Sequence, residues 1–200
     1  MSHYYQTNKE LKDKIKKLHY TYQGVDIYYL TNSGMFAKNN FDFGSNLLLN
    51  NIEIGKEQKI LDVGCGYGFL GLAIAKKHKN IEVDMIDINE NALEMALYNR
   101  EYNSISNAKI FISDCFDKVS DYYDMIITNP PIKAGKKIVY EIIFSGLKKL
   151  NPQGCLYLVI KKDHGAISLI EKLKLEAIVE VTKKKNGYFV LKASKIDQQG

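Results

Sequence analysis

From Lys59 onward the chain alternates between short apolar runs and longer segments with helical spacing, and this alternation constrains its fold more than any other feature. The apolar runs cover residues 59–63, 81–88, 109–113, 123–128 and 155–161, and each is short and apolar on both faces. That is the pattern of parallel strands covered by helices on both sides. Helical signals fall between them, at 69–78, 90–103, 137–150 and 167–174; the segment Ala92-Leu93-Met95-Ala96-Leu97-Asn99-Arg100 shows the spacing most clearly. The alternation ends in a pair of runs, 177–182 and 188–193, around Lys185-Asn186-Gly187, and Asn-Gly between apolar runs predicts a tight hairpin. Alternating units closed by a hairpin predict an α/β, doubly wound sheet with an antiparallel edge.

Ahead of the alternation, Lys17-Leu18-His19-Tyr20-Thr21-Tyr22 and Val25-Asp26-Ile27-Tyr28-Tyr29-Leu30 flank Gln23-Gly24. Tyrosine-rich runs around a glycine turn read as a small N-terminal hairpin. Residues 32–45 read as a loop, followed by a short helix over 45–51. The expected organisation is an N-terminal arm and hairpin extension over 1–44, then one compact unit over 45–200. No apolar run is long enough to span a bilayer, and the polar N-terminus lacks the apolar stretch of a secretory signal. Cys65, Cys115 and Cys155 are odd in number and widely spaced, which argues against a disulfide framework or a metal site and points to a reducing, cytoplasmic setting.

The first strand runs directly into Asp62-Val63-Gly64-Cys65-Gly66-Tyr67-Gly68. Glycines here let backbone approach a ligand, and the helix that starts at Phe69 presents its N-terminus to a polar group. Ligands of such sheets lie at the carboxyl ends of the strands, where the strand order reverses. Gly66-x-Gly68-x-x-Gly71 with Asp87 downstream also fits a nicotinamide-binding turn, so a dehydrogenase competes. The match begins two residues late, however, and Asp62 would sit beside a pyrophosphate. An acid suits S-adenosylmethionine better, because that cofactor carries an ammonium and a sulfonium and no pyrophosphate. Asp87 ends the second strand, where it can accept both ribose hydroxyls, and Asp114 follows the third, where it can accept the adenine amine.

The fourth strand, Met125-Ile126-Ile127-Thr128, delivers Asn129-Pro130-Pro131-Ile132 to the same rim. A planar amine has a delocalised, weakly nucleophilic lone pair that must be turned toward an electrophile. Two acceptors gripping its N–H groups achieve this, and the Asn129 side-chain oxygen and the Pro130 carbonyl are the candidates. Consecutive prolines fix φ, so the carbonyl is aimed in advance. The turn therefore points to methyl transfer onto an amino nitrogen by in-line displacement, driven by positioning and with no metal.

These motifs resemble those of class I S-adenosylmethionine-dependent methyltransferases acting on amino groups. Gly34-Met35-Phe36-Ala37, Phe41-Asp42-Phe43-Gly44-Ser45-x-Leu47-Leu48, Ile132-Lys133-Ala134-Gly135-Lys136 and Lys161-Lys162-Asp163-His164-Gly165-Ala166 are similar to the catalytic domain of RsmC-type small-subunit ribosomal RNA guanine-N2 methyltransferases and to short stand-alone homologues. The resemblance implies a Rossmann-like seven-strand sheet and cofactor contacts at Asp62, Gly64, Gly66, Asp87, Asp114 and Asn129, with Cys65, Gly68, Ile88 and Cys115 in the same site. It implies a target guanine near Asn129–Ile132. Two departures stand out. Ile132 occupies a position where many amino methyltransferases place a stacking aromatic, and the chain has no room for the degenerate N-terminal copy of the two-domain members.

The net charge is +5, nearly all positive charge is lysine, and Arg100 is the only arginine. Lysine neutralises phosphate as a point charge and does not fork onto base edges. An RNA partner, ribosomal RNA or the small ribosomal subunit, would be held through its backbone and its shape. Lys133, Lys136 and Lys137 flank the Asn-Pro-Pro turn and are candidate substrate contacts; Lys9, Lys12, Lys14, Lys16 and Lys17 form a basic arm. Phe36 and Phe41 are expected either to cover cofactor and substrate or to pack in the core. Cys65 has no base beside it and is not read as a nucleophile. The leading expectation is RNA guanine-N2 methylation. The alternatives are methylation of a protein glutamine or small amine, and a non-catalytic RNA-binding module of the same fold. The oligomeric state is not legible.

Overall fold

A computed structural model of the 200-residue chain describes residues 16–31, 41–56 and 58–196. Phe36, the Gly34–Ala37 motif and the lysines at 9, 12 and 14 lie outside the described residues. Nine strands and five α-helices are described: β1 (Lys16–Tyr22), β2 (Val25–Thr31), α1 (Phe43–Leu49), β3 (Lys59–Val63), α2 (Phe69–Lys77), β4 (Glu82–Asp87), α3 (Glu90–Tyr102), β5 (Ala108–Ile112), β6 (Tyr123–Thr128), α4 (Lys136–Lys148), β7 (Leu150–Lys161), α5 (Ala166–Leu173), β8 (Ala177–Lys185) and β9 (Tyr188–Lys195).

Seven strands form one sheet in the order β5-β4-β3-β6-β7-β9-β8, and β1 pairs with β2 in a separate hairpin. Strands β5 through β7 are parallel; β9 runs antiparallel to β7, and β8 antiparallel to β9. The chain moves outward from β3 through β4 to β5, then crosses back to β6, so the order reverses between β3 and β6. This is the doubly wound, Rossmann-like arrangement that the alternation predicts, with the antiparallel edge supplied by the C-terminal hairpin. Among the described residues no helix is long and apolar enough to cross a membrane.

The helices divide between the two faces because their apolar stripes do. Leu47, Leu48 and Leu49 of α1, with Leu72 and Ile74 of α2, share one core with Ile60, Met85 and Tyr157 of the sheet. Val139, Ile142 and Ile143 of α4, with Leu169 and Leu173 of α5, share the other with Leu61, Ile126 and Leu158. Burying such branched side chains contributes about 1.5–3 kcal/mol each. Close packing sets glycine positions too: a Cβ on Gly71 of α2 would lie 2.8 Å from the Met85 side chain of β4.

The N-terminal hairpin belongs to the first core through Tyr22, Ile27 and Tyr29. Its β2 edge is closed by helix side chains rather than by a third strand. Asn99 of α3 accepts from Leu30 N at 2.7 Å and donates to Leu30 O at 3.0 Å, while Asn103 accepts from Tyr28 N and donates to Tyr28 O. Two buried asparagines thus satisfy an otherwise open strand edge.

Several element boundaries differ from the sequence reading, among them the ends of the C-terminal hairpin strands, which reach Lys185 and Lys195. Leu150, expected to end a helix, begins β7 and pairs with Tyr123. The helix stops at Lys148, and the following residues Asn151-Pro152 bring a proline that cannot continue it. The short helix expected over 45–51 begins at Phe43, because Asp42 caps it by accepting from Ser45 N at 2.7 Å.

Candidate active site

The carboxyl ends of β5, β4, β3 and β6 form one continuous rim. Val63 pairs with Ile86 and with Thr128, and Asp87 pairs with Ile112, so the residues that follow these strands are neighbours. The rim is tied by Gly64 N and Cys65 N donating to Ile86 O, Ser113 N to Asp87 O, and Thr128 Oγ1 to Val63 O. The glycine turn, Asp87, Asp114 and Asn129 are therefore brought together, as the sequence spacing requires.

Gly64 and Gly66 have φ of 71° and 57°, and an added Cβ at either would meet nothing within 4 Å. Their role is conformational, and they leave open space above the turn. Gly68 has a φ of 96° and caps α2, and a Cβ there would lie 2.6 Å from Leu72. Tyr67 and Cys65 are buried beneath the turn; burial pushes the Cys65 thiol well up, which suits an inert packing role.

Asp62 is 1% exposed. Its Oδ2 accepts from Gly71 N at 2.9 Å, whereas Oδ1 is buried with no hydrogen-bond partner among the described residues. Burial pushes its carboxyl up to about 7, against the lowering effect of the Gly71 amide and with a further upward push from the charge on Asp87. A buried carboxylate with one unmatched oxygen is a site that favours a cationic group. Asp87 is held by Gly66 N on Oδ2 and Asn89 N on Oδ1, both at 2.9 Å, which fixes its carboxylate at the rim. Next to it Ile88 is 62% exposed, an apolar side chain left as a platform where a flat ring can lie. Asp114 is exposed, and Cys115 follows it with a φ of 43°. Burial, with the charges of Glu141 and Asp114, pushes the Cys115 thiol up to about 11. A nucleoside-type cofactor with a cationic tail fits this set: a cation partner at Asp62, a diol acceptor at Asp87, an apolar face at Ile88 and a polar rim at Asp114.

The Asn129 side chain is fixed by residues from far upstream. Its Nδ2 donates to Asp42 Oδ1 and to Ser45 Oγ, both at 2.8 Å. An ionised carboxylate only accepts, so Asp42 settles which way the amide faces. Both amide hydrogens of Asn129 are thereby engaged on Asp42 and Ser45, and its oxygen is the group left to accept from a ligand. Pro130 is buried and Pro131 exposed. The turn continues as a short 3-10 segment, Ile132–Ala134, closed by Ala134 N donating to Pro131 O and Gly135 N to Ile132 O; no backbone donor of the turn takes the Pro130 carbonyl. The turn thus carries two acceptor groups, the Asn129 side-chain oxygen and the Pro130 carbonyl.

Ile132 is half-buried and, with Lys136, Val139, Tyr140, Ile160 and His164, lines a cavity of about 360 Å³ beside the turn. Lys133, Lys136 and Lys137 are exposed around it. Phe41 stacks on Phe69 at 4.8 Å and meets Tyr20 and Tyr29 edge-on, so its contacts are those of the core-packing alternative.

Asp42, Ser45 and Asn99 carry functions that the sequence reading did not assign. Asp42 three residues ahead of Ser45, just before an apolar run, is a legible helix cap, but its bond to a residue 87 positions away is not. Asn99 also donates to Tyr67 O at 3.0 Å, which ties the glycine turn to the N-terminal hairpin. Among the described residues no three His, Cys, Asp or Glu side chains converge to hold a metal.

The family model of the methyltransferase small domain matches residues 26–192. "Uncharacterized protein YbxB" of Bacillus subtilis is 42% identical over 97% of this chain and 98% of its own length. Ribosomal RNA small subunit methyltransferase C of Colwellia psychrerythraea is 32% identical over 74% of this chain and 43% of its own length, so the chain spans less than half of that relative. Among solved structures, the T. thermophilus 16S rRNA N2 methyltransferase RsmC, in complex with AdoMet and guanosine, superposes with a TM-score of 0.77 at 23% identity, over 92% of this chain and 51% of that one.

Proposed function

The chain belongs to the methyltransferase small-domain family, and from that premise we propose that it uses S-adenosylmethionine to methylate the exocyclic N2 amine of a guanine in ribosomal RNA. The observation that carries this reading is the Asn129 amide, whose Nδ2 is held by Asp42 and Ser45, which leaves its oxygen and the adjacent Pro130 carbonyl as the acceptors of the turn. The proposal extends to the setting: a reducing cytoplasm, in which the three free cysteines stay reduced. It extends also to the domain plan, a methyltransferase unit over 45–200 with an N-terminal extension over 1–44.

The donor supplies an electrophilic methyl carbon on a positively charged sulfur. Asp62 would face its cationic end, Asp87 its ribose and Ile88 its adenine, with Asp114 and the glycine turn closing around it. The acceptor amine is weakly nucleophilic because its lone pair is spread into the ring. Asn129 Oδ1 and Pro130 O each accept one N–H, which turns the lone pair out of the ring plane and toward the methyl carbon. When bound, the donor would supply the methyl carbon to the nitrogen so oriented, and the proton displaced from the amine would leave to solvent. The two acceptors stabilise the charge that develops on that nitrogen. Because both are fixed before reaction, little reorganisation is needed.

The RNA assignment draws on the ribosomal RNA methyltransferases among the relatives and on the lysines around the turn. It is tested by incubating the protein with labelled S-adenosylmethionine and either unmodified ribosomal RNA or isolated small subunits. Label in RNA that disappears in Asn129→Ala is the expected result. Donor binding with no label in either substrate sinks the RNA assignment and shifts the acceptor to a protein glutamine or a small amine.

A further inference from the structure

Cofactor-type residues occupy the rim over β3, β4 and β5, on one side of Asn129. On the other side lie β7 and the β9–β8 hairpin, the part of the rim not taken by the cofactor-type residues. This half of the rim is strongly basic. Lys161 ends β7 and pairs with Tyr188, and Lys162 N donates to Gly187 O at 2.7 Å, so the hairpin tip sits on the catalytic rim. The tip carries Lys183, Lys184 and Lys185, all exposed. Tyr188 links it to the site: its ring lies 5.3 Å from that of Phe43, next to Asp42, which holds Asn129.

We propose that this hairpin tip, with Lys161 and Lys162, is the surface that grips the RNA backbone and sets the target nucleotide over Asn129. The inference rests on the proposed RNA methylation and names the surface that serves it. Three observations support it. Five lysines face one acid, Asp163, in a chain whose net charge is only +5. Within β8 the lysines are confined to the tip: the first six residues, Ala177-Ile178-Val179-Glu180-Val181-Thr182, hold none, although lysines that merely blunt an edge strand would serve along its whole length. The cavity beside Ile132 is lined by Lys136 on one side and, on the other, by Ile160 and Asp163, which adjoin Lys161 and Lys162, so a base turned into it would have its neighbouring phosphates within reach of lysine.

The test uses the full chain and an unmodified small-subunit ribosomal RNA transcript. Affinity is measured at salt concentrations from about 50 to 200 mM for wild type, for Lys183→Gln/Lys184→Gln/Lys185→Gln, and for a control, Lys56→Gln/Lys79→Gln/Lys148→Gln, on the opposite rim. If the three tip lysines each meet a phosphate, the salt slope of log K becomes shallower by about 2–3 and low-salt affinity falls at least about tenfold. Donor affinity and melting temperature stay at wild-type values, and the Lys→Arg triple restores the slope. A tip variant that behaves like the control, while the wild type still methylates the transcript, overturns the inference and leaves the proposed function standing. A wild type that neither methylates the transcript nor binds it with a measurable salt-dependent affinity overturns both. If the tip variant instead loses transfer to a protein fraction, the surface is a protein-docking site and the inference is wrong.

Discussion

Asp42 offers a sharp test of how Asn129 is aimed. Asp42→Asn is nearly isosteric and keeps the cap of α1, because Asn caps helices as well as Asp and can still accept from Ser45 N. What it removes is the guarantee of orientation. The wild-type carboxylate only accepts, so the Asn129 NH2 must face it. An amide at position 42 can donate as well, which lets Asn129 turn its oxygen inward and present NH2 to the acceptor amine. A hydrogen bond to a charged group is worth about 1.5–3 kcal/mol against about 0.5–1.5 for a neutral one, so the productive orientation loses about 1–2 kcal/mol. That corresponds to roughly a 5- to 30-fold fall in kcat. Ser45 Oγ still accepts from Asn129 and keeps the loss from being larger. The assay is steady-state methyl transfer with donor affinity and melting temperature measured alongside. The expected pattern is a lower kcat with donor Kd unchanged and stability within about 0.5 kcal/mol. Full activity in Asp42→Asn refutes the orientation argument, and a collapse of donor binding or stability would make Asp42 a structural residue instead.

Asp62 gives a pH prediction. Its folded carboxyl titrates near 7, above its ordinary 3.8, so its stabilising contribution is complete below about 4 and is lost as pH rises through 7. The ionised form costs on the order of 4 kcal/mol, which a cationic ligand offsets. Donor affinity should therefore strengthen between about pH 5.5 and 7.5 in the wild type and stay flat in Asp62→Asn by calorimetry, and a flat wild-type profile would contradict the pairing. Asn99, fully buried, satisfies Leu30 N, Leu30 O and Tyr67 O. Asn99→Leu strands all three groups, so a loss of about 3–6 kcal/mol and a fall in melting temperature on the order of 10 °C are expected by thermal denaturation; a shift within error would show that water takes their place.

What could be read from the sequence was local. Periodicity marks each strand and helix because burial is decided within a few residues, and Asn186-Gly187 marks its hairpin because only certain residues accept φ of 49° and 76° there. The glycine turn, the acids at strand ends and the Asn-Pro-Pro turn were legible because each is a contiguous motif. Contacts between distant segments leave no such trace. Asp42 reads as a cap, and only the fold shows that it also clamps Asn129. Asn99 reads as one polar position in an amphipathic helix, yet it closes a strand edge and braces the glycine turn. Lys183 and Lys184 fall between the apolar run over 177–182 and the Asn-Gly turn, and only the pairing of β9 with β7 and β8 brings them beside the end of β7.

The most direct test of the central claim is the identity of the methylated atom. Ribosomal RNA treated with the protein and S-adenosylmethionine is digested to nucleosides and analysed by mass spectrometry. The account predicts N2-methylguanosine, absent when Asn129→Ala replaces the wild type. Methylation at a ring nitrogen, a carbon or a ribose hydroxyl, or methylated glutamine in ribosomal protein with unmodified RNA, would contradict it.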